Sequence, residues 1–364
     1  MDVRDLLRNG HVQRDAEASR ASSLDEQLQM DSSVENEAPS EMMFVPQLPI
    51  SEPAGTDPLL LVADALDVLK SLPTGSVNLI ISSPPYNIGK VYERGKKLSL
   101  GQYLRWQQDI LIQAKRVLAE NGTICWQTGT YIDKNGILPL DIPFARLFSR
   151  LGFKLRNRII WRFNFGLHSD KRFSGRYETL LWLTKSDSYK FNLDPVRIPQ
   201  LYPGKRHPRK RVDKQGELSG NPKGKNPSDY WEFDASADFL HNPVWNFPNV
   251  KNNHPEKQDH PCQFPIELAE RCVLAFTEAN DMVVDPFVGT GSAVLAAQKH
   301  GRRSIGVDKE DVYVRIAQKR SDELREGRLA MRSIGRPVAT PPRNSKLTRI
   351  PEEWSAGRGE EAKA

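Results

Sequence analysis

Residues 282–292 of this 364-residue chain read Met282-Val283-Val284-Asp285-Pro286-Phe287-Val288-Gly289-Thr290-Gly291-Ser292. The apolar run predicts a buried strand that ends at the acid, and the glycines predict a tight loop before a helix. Glycine lets the backbone approach a ligand closely, and open α/β sheets bind ligands outside the carboxyl ends of their strands. The stretch therefore predicts an α/β sheet that carries a ligand-binding loop.

Asp308 sharpens this interpretation, because it ends the next predicted strand. A carboxylate at that place can accept two hydrogen bonds from ribose hydroxyls, as in many nucleotide sites. One alternative is the dinucleotide site of a dehydrogenase, but Val294 replaces the third glycine of that fingerprint. The other alternative is a tight turn without a ligand, which would leave Asp308 without a role.

Strands and helices alternate on both sides of this stretch. The predicted strands are Leu59–Val62, Val77–Ser82, 123–126, 158–163, 179–184, Met282–Asp285 and 304–308. The predicted helices run through 103–117, 265–277, 292–300 and 312–325. This alternation is typical of a doubly wound sheet with helices on both faces.

A second motif, Ser83-Pro84-Pro85-Tyr86-Asn87, directly follows the predicted strand Val77–Ser82. Consecutive prolines have fixed φ angles and no amide donors, so they stiffen the loop and aim the Pro84 carbonyl. That carbonyl and the Ser83 hydroxyl can accept both hydrogens of an amino group, while Tyr86 can stack on a planar base. The alternative is an ordinary proline turn, which the strand before it and the glycine loop downstream disfavour.

The two motifs in this order resemble the beta class of DNA amino-methyltransferases, which modify cytosine N4 or adenine N6. The resemblance covers residues 57–330 and implies a Rossmann-like, mixed sheet of seven strands with S-adenosylmethionine as cofactor. It assigns catalysis to the second motif: Ser83, Pro84, Pro85 and Tyr86. It assigns cofactor binding to three acids, an aromatic residue and two glycines: Asp64, Asp285, Phe287, Gly289, Gly291 and Asp308.

The chain departs from the family pattern in two places. Ala63 precedes Asp64 where glycine is usual, and Phe264 replaces a lysine in the stretch before the helix at 265–277. Pro261-Cys262-Gln263 matches the nucleophile tripeptide of cytosine-C5 methyltransferases, but it precedes the cofactor loop instead of following it. We therefore expect Cys262 to take no part in the chemistry.

Residues 190–258 interrupt the strand–helix rhythm with Pro, Gly, Asn, Lys and Arg, at the place where this family carries its target-recognition region. Cations there predict contacts with double-stranded DNA: Lys205, Arg206, Arg209, Lys210 and Arg211. The alternative is a solvated loop. The net charge of +6 includes twelve acids against four arginines in residues 1–57, so the rest of the chain is more basic still.

Residues 1–56 and 331–364 have the composition of disordered tails. No apolar run could span a bilayer, and 3 Cys form neither a disulfide framework nor a metal-ligand pattern, so we expect a cytoplasmic protein without a metal. The resemblance favours cytosine N4, because a leading Ser in the motif goes mostly with that target, and allows a cognate restriction endonuclease as genetic partner. Adenine-N6 methylation and a catalytically silent DNA-binding module stay open as alternatives.

Overall fold

A computed structural model describes residues 55–87, 98–133, 136–163, 170–198, 200, 204–208, 212–231, 250, 254–260 and 262–333. The two predicted tails fall almost entirely outside these residues, as do Arg209, Lys210, Arg211 and most of the second half of the predicted recognition region.

The strands, in chain order, are β1 Leu59–Val62, β2 Val77–Ser82, β3 Leu118–Thr128, β4 Thr130–Asp133, β5 Gly136–Pro139, β6 Lys154–Arg162, β7 Tyr177–Thr184, β8 Tyr230–Trp231, β9 Met282–Asp285 and β10 Arg303–Asp308. The helices are α1 Ala65–Ser71, α2 Leu100–Val117, α3 Asp141–Arg150, α4 Ile266–Phe276, α5 Ser292–Lys299 and α6 Asp311–Arg325. All seven predicted strands and all four predicted helices are present, and helix α1, helix α3 and the β4–β5 hairpin are additional.

The main sheet has the strand order β1-β10-β9-β2-β3-β7-β6-β8. Strand β7 runs antiparallel to both of its neighbours, and the other pairings between strands of this sheet are parallel. The predicted mixed sheet of seven strands is therefore confirmed, with the two-residue strand β8 added at one edge. Among the described residues, no helix is long and apolar enough to cross a membrane.

The sheet separates two hydrophobic clusters, which explains why its central strands are apolar throughout. Ile80 and Trp126 pack on one face with residues of α2 and α3, such as Phe144. Leu79 and Cys125, their chain neighbours, pack on the other face with residues of α4 and α5. Alternating side chains of one strand thus enter opposite cores, since successive residues of a strand point to opposite faces.

Helix α2 shows how the local sequence determines the bounds of an element. Ser99 and Gln102 form a capping box at its start, and four of its buried residues recur at helical spacing: Tyr103, Ile110, Ala114 and Val117. The helix ends at Val117, and β3 follows immediately. Because β3 begins where the helix ends, the first turns of α2 lie toward the carboxyl edge of the sheet.

Candidate active site

The two sequence motifs lie side by side in the sheet, although they are far apart in the chain. Strands β2 and β9 are parallel neighbours, with Leu79 opposite Val283 and Ile80 opposite Val284. At their carboxyl ends the Ser82 hydroxyl donates a buried hydrogen bond of 2.5 Å to Asp285 Oδ1. This bond joins the ends of the two strands from which the predicted catalytic and cofactor loops begin, at the point where ligands bind to doubly wound sheets.

The glycine loop has the geometry that its sequence predicts. Gly289 has a φ of 48° and Gly291 a φ of 90°, in the left-handed region that other residues rarely adopt. A Cβ atom on Gly289 would lie 3.4 Å from His260 Nε2, and one on Gly291 would lie 3.0 Å from the Ala317 Cβ. The loop therefore needs both glycines, one for its conformation beside the cavity and one for packing against α6.

Two predicted acids stabilise this loop by accepting backbone hydrogen bonds. Asp308 Oδ2 accepts from the Gly289 amide at 3.0 Å, and its Oδ1 accepts from the Glu310 amide at 2.9 Å. Asp285 Oδ1 accepts from the Phe287 amide at 3.0 Å. Burial raises the pKa of Asp308, and burial raises the pKa of Asp285 to about 7, with further help from the nearby Asp308 charge.

Asp64 follows β1, the strand beside β10, and has a different electrostatic environment from the other two acids. Its Oδ1 accepts from the Leu66 amide at 2.7 Å and so caps α1, while its Oδ2 lies 2.6 Å from Lys309 Nζ. Partial burial acts to raise the pKa of Asp64, but the Lys309 ammonium and the Leu66 amide outweigh it and lower the pKa. Asp64 is therefore ionised at neutral pH.

A cavity of about 460 Å³ lies between these elements. Eight of the predicted catalytic and cofactor residues line it: Asp64, Ser83, Pro84, Pro85, Tyr86, Phe287, Gly289 and Asp308. Asp285 is fully buried and Gly291 is the N-cap residue just before α5, and neither lines the cavity. The structure thus brings the predicted set together and places two of its members behind the loop, where they support it.

Aromatic side chains that the sequence did not assign to the site form part of its wall. Trp106 of α2 meets the Phe287 ring edge-on at 5.8 Å between centroids, and Tyr103 lies beside Trp106 at 6.1 Å. Both residues belong to a helical pattern that indicated core packing. Their place on the first turns of the helix that follows the Pro-Pro loop in the chain was the signal that could have assigned them to the cavity.

A further aromatic pair closes the cavity near the glycine loop. The His260 and Tyr313 rings are 4.6 Å apart between centroids and nearly perpendicular. Burial, assisted by the Lys257 charge, lowers the pKa of His260 to about 4, so its ring is neutral at neutral pH. Cys262 also lines this cavity, which brings it nearer to the ligand site than its place in the sequence suggested.

Side-chain hydrogen bonds hold the catalytic loop. The Tyr103 hydroxyl donates to the Pro85 carbonyl at 2.8 Å, and the Asn87 side chain makes two bonds of 2.8 Å with the Leu98 backbone. Asn87 itself has a φ of 57°. Ser83 Oγ lies 3.0 Å from the Tyr86 hydroxyl inside the cavity. The loop therefore presents Ser83 in a fixed orientation before any ligand binds.

Comparison with known proteins identifies the family to which this arrangement belongs. A family model described as DNA methylase (N6_N4_Mtase) matches residues 77–319. The chain belongs to this DNA methylase family. The matched residues include both motifs and every strand of the sheet except β1.

Individual relatives agree with this family. The chain is 46% identical over 255 residues to the type II methyltransferase M.BglII of Bacillus subtilis, covering 70% of this chain and 66% of that relative. It is 29% identical over 264 residues to the DNA adenine methyltransferase YhdJ of Escherichia coli K12, covering 71% and 81%. The solved PvuII DNA methyltransferase (cytosine-N4-specific) shares the fold, with a TM-score of 0.53, 18% identity and coverage of 80% and 95%.

S-adenosylmethionine is the methyl donor of DNA methylases, and the cavity fits it. The left-handed glycine turn leaves room for a ligand against the backbone, and the carboxylates of Asp64 and Asp308 face the cavity with lone pairs for hydroxyl or amino donors. Trp106 and Phe287 supply an apolar wall. Within the described part of the chain, no group of three or more His, Cys, Asp or Glu is arranged to hold a metal ion.

The predicted DNA contacts are only partly described. Lys205 and Arg206 are exposed, as the prediction requires. The Arg206 guanidinium donates to the Gly216 carbonyl, and the Arg206 backbone forms a bridge with Leu218. Arg209, Lys210 and Arg211 lie outside the described residues, so their role stays a prediction.

Proposed function

We propose that this DNA methylase transfers a methyl group from S-adenosylmethionine to the exocyclic N4 of cytosine within a specific sequence of duplex DNA. One observation carries the proposal: Ser83, fixed at the end of β2, opens into the same cavity as the glycine loop at the end of β9. A methyl acceptor held by Ser83 would therefore meet a donor held by that loop.

The chemistry explains why these residue types are needed. The lone pair of an exocyclic amino group is delocalised into the base, so the nitrogen is a weak nucleophile. Hydrogen bonds from the amino group to Ser83 Oγ and the Pro84 carbonyl favour a tetrahedral nitrogen whose lone pair points at the methyl group. When bound, S-adenosylmethionine supplies that methyl group on a positively charged sulfur, so neither a metal nor a covalent enzyme intermediate is needed.

The substrate would be a base rotated out of the duplex, because an amino group inside the stack cannot reach a cavity at the edge of the sheet. Tyr86 lines that cavity and offers its ring to a flipped base. We propose that Lys205, Arg206, Arg209, Lys210 and Arg211 contact phosphates around it. Replacing Arg209, Lys210 and Arg211 with alanine should release fewer counterions on binding. The slope of log K for duplex binding against log salt concentration should therefore become less steep by about 3.

The target base is the finer part of the proposal. Ser83 favours cytosine N4, whereas the similarity to an adenine methyltransferase supports adenine N6 as the second candidate. Both amino groups offer the same two hydrogens, so the hydroxyl alone does not exclude either. The deciding experiment incubates unmethylated DNA with the protein and S-adenosylmethionine, digests it to nucleosides and separates them by mass spectrometry. We expect N4-methylcytosine; N6-methyladenine alone would overturn the choice of base.

The biological setting follows from the substrate and the relatives. M.BglII is named a type II methyltransferase, the kind that protects DNA from a restriction enzyme. We propose the same setting here, with a cognate endonuclease as genetic partner and cytoplasmic DNA as the substrate. DNA from cells that express the protein should resist that endonuclease at the methylated sequence, and cleavage of fully modified DNA would contradict the pairing.

A further inference from the structure

Glu178 lies behind the catalytic loop and takes part in a hydrogen-bond chain that the methyltransferase motifs do not include. It occupies the start of β7, which runs antiparallel to β3 and so begins at the edge of the sheet where the cavity lies. Its Oε2 accepts from the Tyr86 hydroxyl at 3.3 Å and from Gln127 Nε2 at 2.5 Å. Tyr86 in turn lies 3.0 Å from Ser83 Oγ.

The Glu178 carboxylate determines which atom donates in each of these hydrogen bonds. An ionised Glu178 only accepts, so the Tyr86 hydrogen points toward it. The Tyr86 oxygen can then accept the Ser83 hydrogen at 3.0 Å, which directs the lone pairs of Ser83 Oγ toward the cavity. The Tyr86 ring packs closely on Gly129, where an added Cβ would lie 2.6 Å from the Tyr86 Cε2, so no side chain larger than that of glycine fits beneath it.

We propose that Glu178 is the positioning residue that orients Ser83 as an acceptor and receives the proton released by the target amino group; this rests on the proposed function. As the N–C bond forms and the S–C bond breaks, the amino nitrogen becomes positively charged. One N–H bond then breaks, its electrons stay on nitrogen, and the proton passes to Ser83 Oγ. The Ser83 hydrogen moves to Tyr86, and the Tyr86 hydrogen moves to Glu178, which becomes neutral.

The test compares Glu178→Gln with the wild type in single-turnover methyl transfer to duplex DNA. An amide of the same shape can donate to Tyr86 and reverse the chain, so the rate should fall about 100-fold. Affinities for S-adenosylmethionine and DNA should stay within about twofold, because Glu178 does not line the cavity. Glu120→Gln is the matched control: it removes an exposed carboxylate 3.8 Å from Lys185 and should leave the rate unchanged.

Two further variants separate this role from a structural one. Tyr86→Phe removes the middle hydroxyl, so combining it with Glu178→Gln should add little to the larger single loss. Glu178→Asp keeps the charge and should retain more activity than Glu178→Gln. A wild-type rate in Glu178→Gln, additive losses in the double variant, or equal losses in the Asp and Gln variants would each overturn the role. A wild-type protein that methylates no base would instead refute the proposed function.

A separate observation concerns the loop that joins β6 to β7. The Phe163 amide donates to the Arg176 carbonyl at 2.8 Å, and beyond this bond residues 170–175 project from the cavity edge of the sheet. Phe173 is fully exposed there, at 101% of its reference area, with Lys171 and Arg172 exposed directly before it. An exposed aromatic ring can stack on DNA bases, and the two cations beside it can bind the neighbouring phosphates.

We infer that this loop binds duplex DNA beside the target base, with Lys171 and Arg172 on phosphates and Phe173 in the space that the flipped base leaves. Flipping costs less when the target base is mispaired. Phe173→Ala should therefore slow methylation of a paired target about tenfold, and slow that of a mispaired target much less. Leu155→Ala, at the other end of β6, is the control for an exposed apolar residue.

The ratio of the two rates decides this inference. Equal slowing on paired and mispaired targets, or no slowing on either, would overturn the insertion of Phe173. Replacing both Lys171 and Arg172 with Ala should make the slope of log K for duplex binding against log salt concentration less steep by about 2. An unchanged slope would contradict the proposed phosphate contacts. Both measurements use DNA on which the wild type is active, so they are independent of which base it methylates.

Discussion

The cofactor half and the catalytic half of the cavity are held in different ways. The glycine loop is fixed through its backbone: its glycines are left-handed, and the amides of Phe287 and Gly289 donate to the carboxylates of Asp285 and Asp308. The catalytic loop is fixed by side chains from other elements, namely Tyr103 on Pro85 and Glu178 on Tyr86. Changes in the first half should therefore alter cofactor affinity, and changes in the second should alter the rate.

The largest expected effect tests the catalytic half. Ser83→Ala removes one acceptor of the amino group and should slow single-turnover methyl transfer by about 100- to 1000-fold, with cofactor affinity retained. Rapid-quench reactions with the protein in excess over DNA measure the single-turnover rate, and calorimetry measures the cofactor affinity. If Ser83→Ala instead lost cofactor affinity and kept the wild-type rate of methyl transfer, Ser83 would belong to the cofactor half.

Gly289→Val tests the cofactor half. A β-branched residue is strained at a φ of 48° and its side chain would meet His260, so S-adenosylmethionine affinity should fall about 100-fold. Titration calorimetry gives the affinity directly. Gly101→Ala in α2 is the matched control, since its new Cβ meets only Arg105 at 3.9 Å and should leave affinity intact. Normal affinity in Gly289→Val would show that this loop is not the cofactor site.

The pKa of Asp285, about 7, makes the stability of the ligand-free protein depend on pH. A carboxyl group whose pKa is raised on folding stabilises the folded state below its unfolded pKa, near 4, and this stabilisation is lost as pH rises toward 7. From pH 5 to 7 the loss from Asp285 should be about 2 kcal/mol. Urea unfolding at both pH values should show that the free energy of unfolding declines less in Asp285→Asn than in the wild type. An equal decline in both proteins would mean that a different group titrates.

The smallest expected effect concerns Cys262, which lines the cavity without a part in the proposed chemistry. Cys262→Ser should keep methyl transfer within about twofold of the wild type, because an attack on amino nitrogen needs no thiolate. The same single-turnover assay measures it. A folded, cofactor-binding variant without activity would favour attack on the cytosine ring instead.

The local sequence predicted most of the fold, because its signals are local. Continuous apolar runs gave β2 and β9 their bounds, and the helical spacing of Tyr103, Ile110 and Val117 predicted α2. The elements that were missed have 2 to 10 residues: α1, α3, β4, β5 and β8. Such short segments contain too few repeats of a pattern to distinguish helix, strand and turn.

The sequence by itself determined the residue types of the site: a Ser-Pro-Pro-Tyr loop, two glycines that a left-handed turn requires, and acids at strand ends. Only the tertiary structure decided which of them meet. Ser82 bonds Asp285 across 203 positions, and Glu178 reaches Tyr86 across 92. Both contacts depend on strand order, with β2 beside β9 and β7 inserted antiparallel, and strand order is set by the packing of the whole sheet between its two cores.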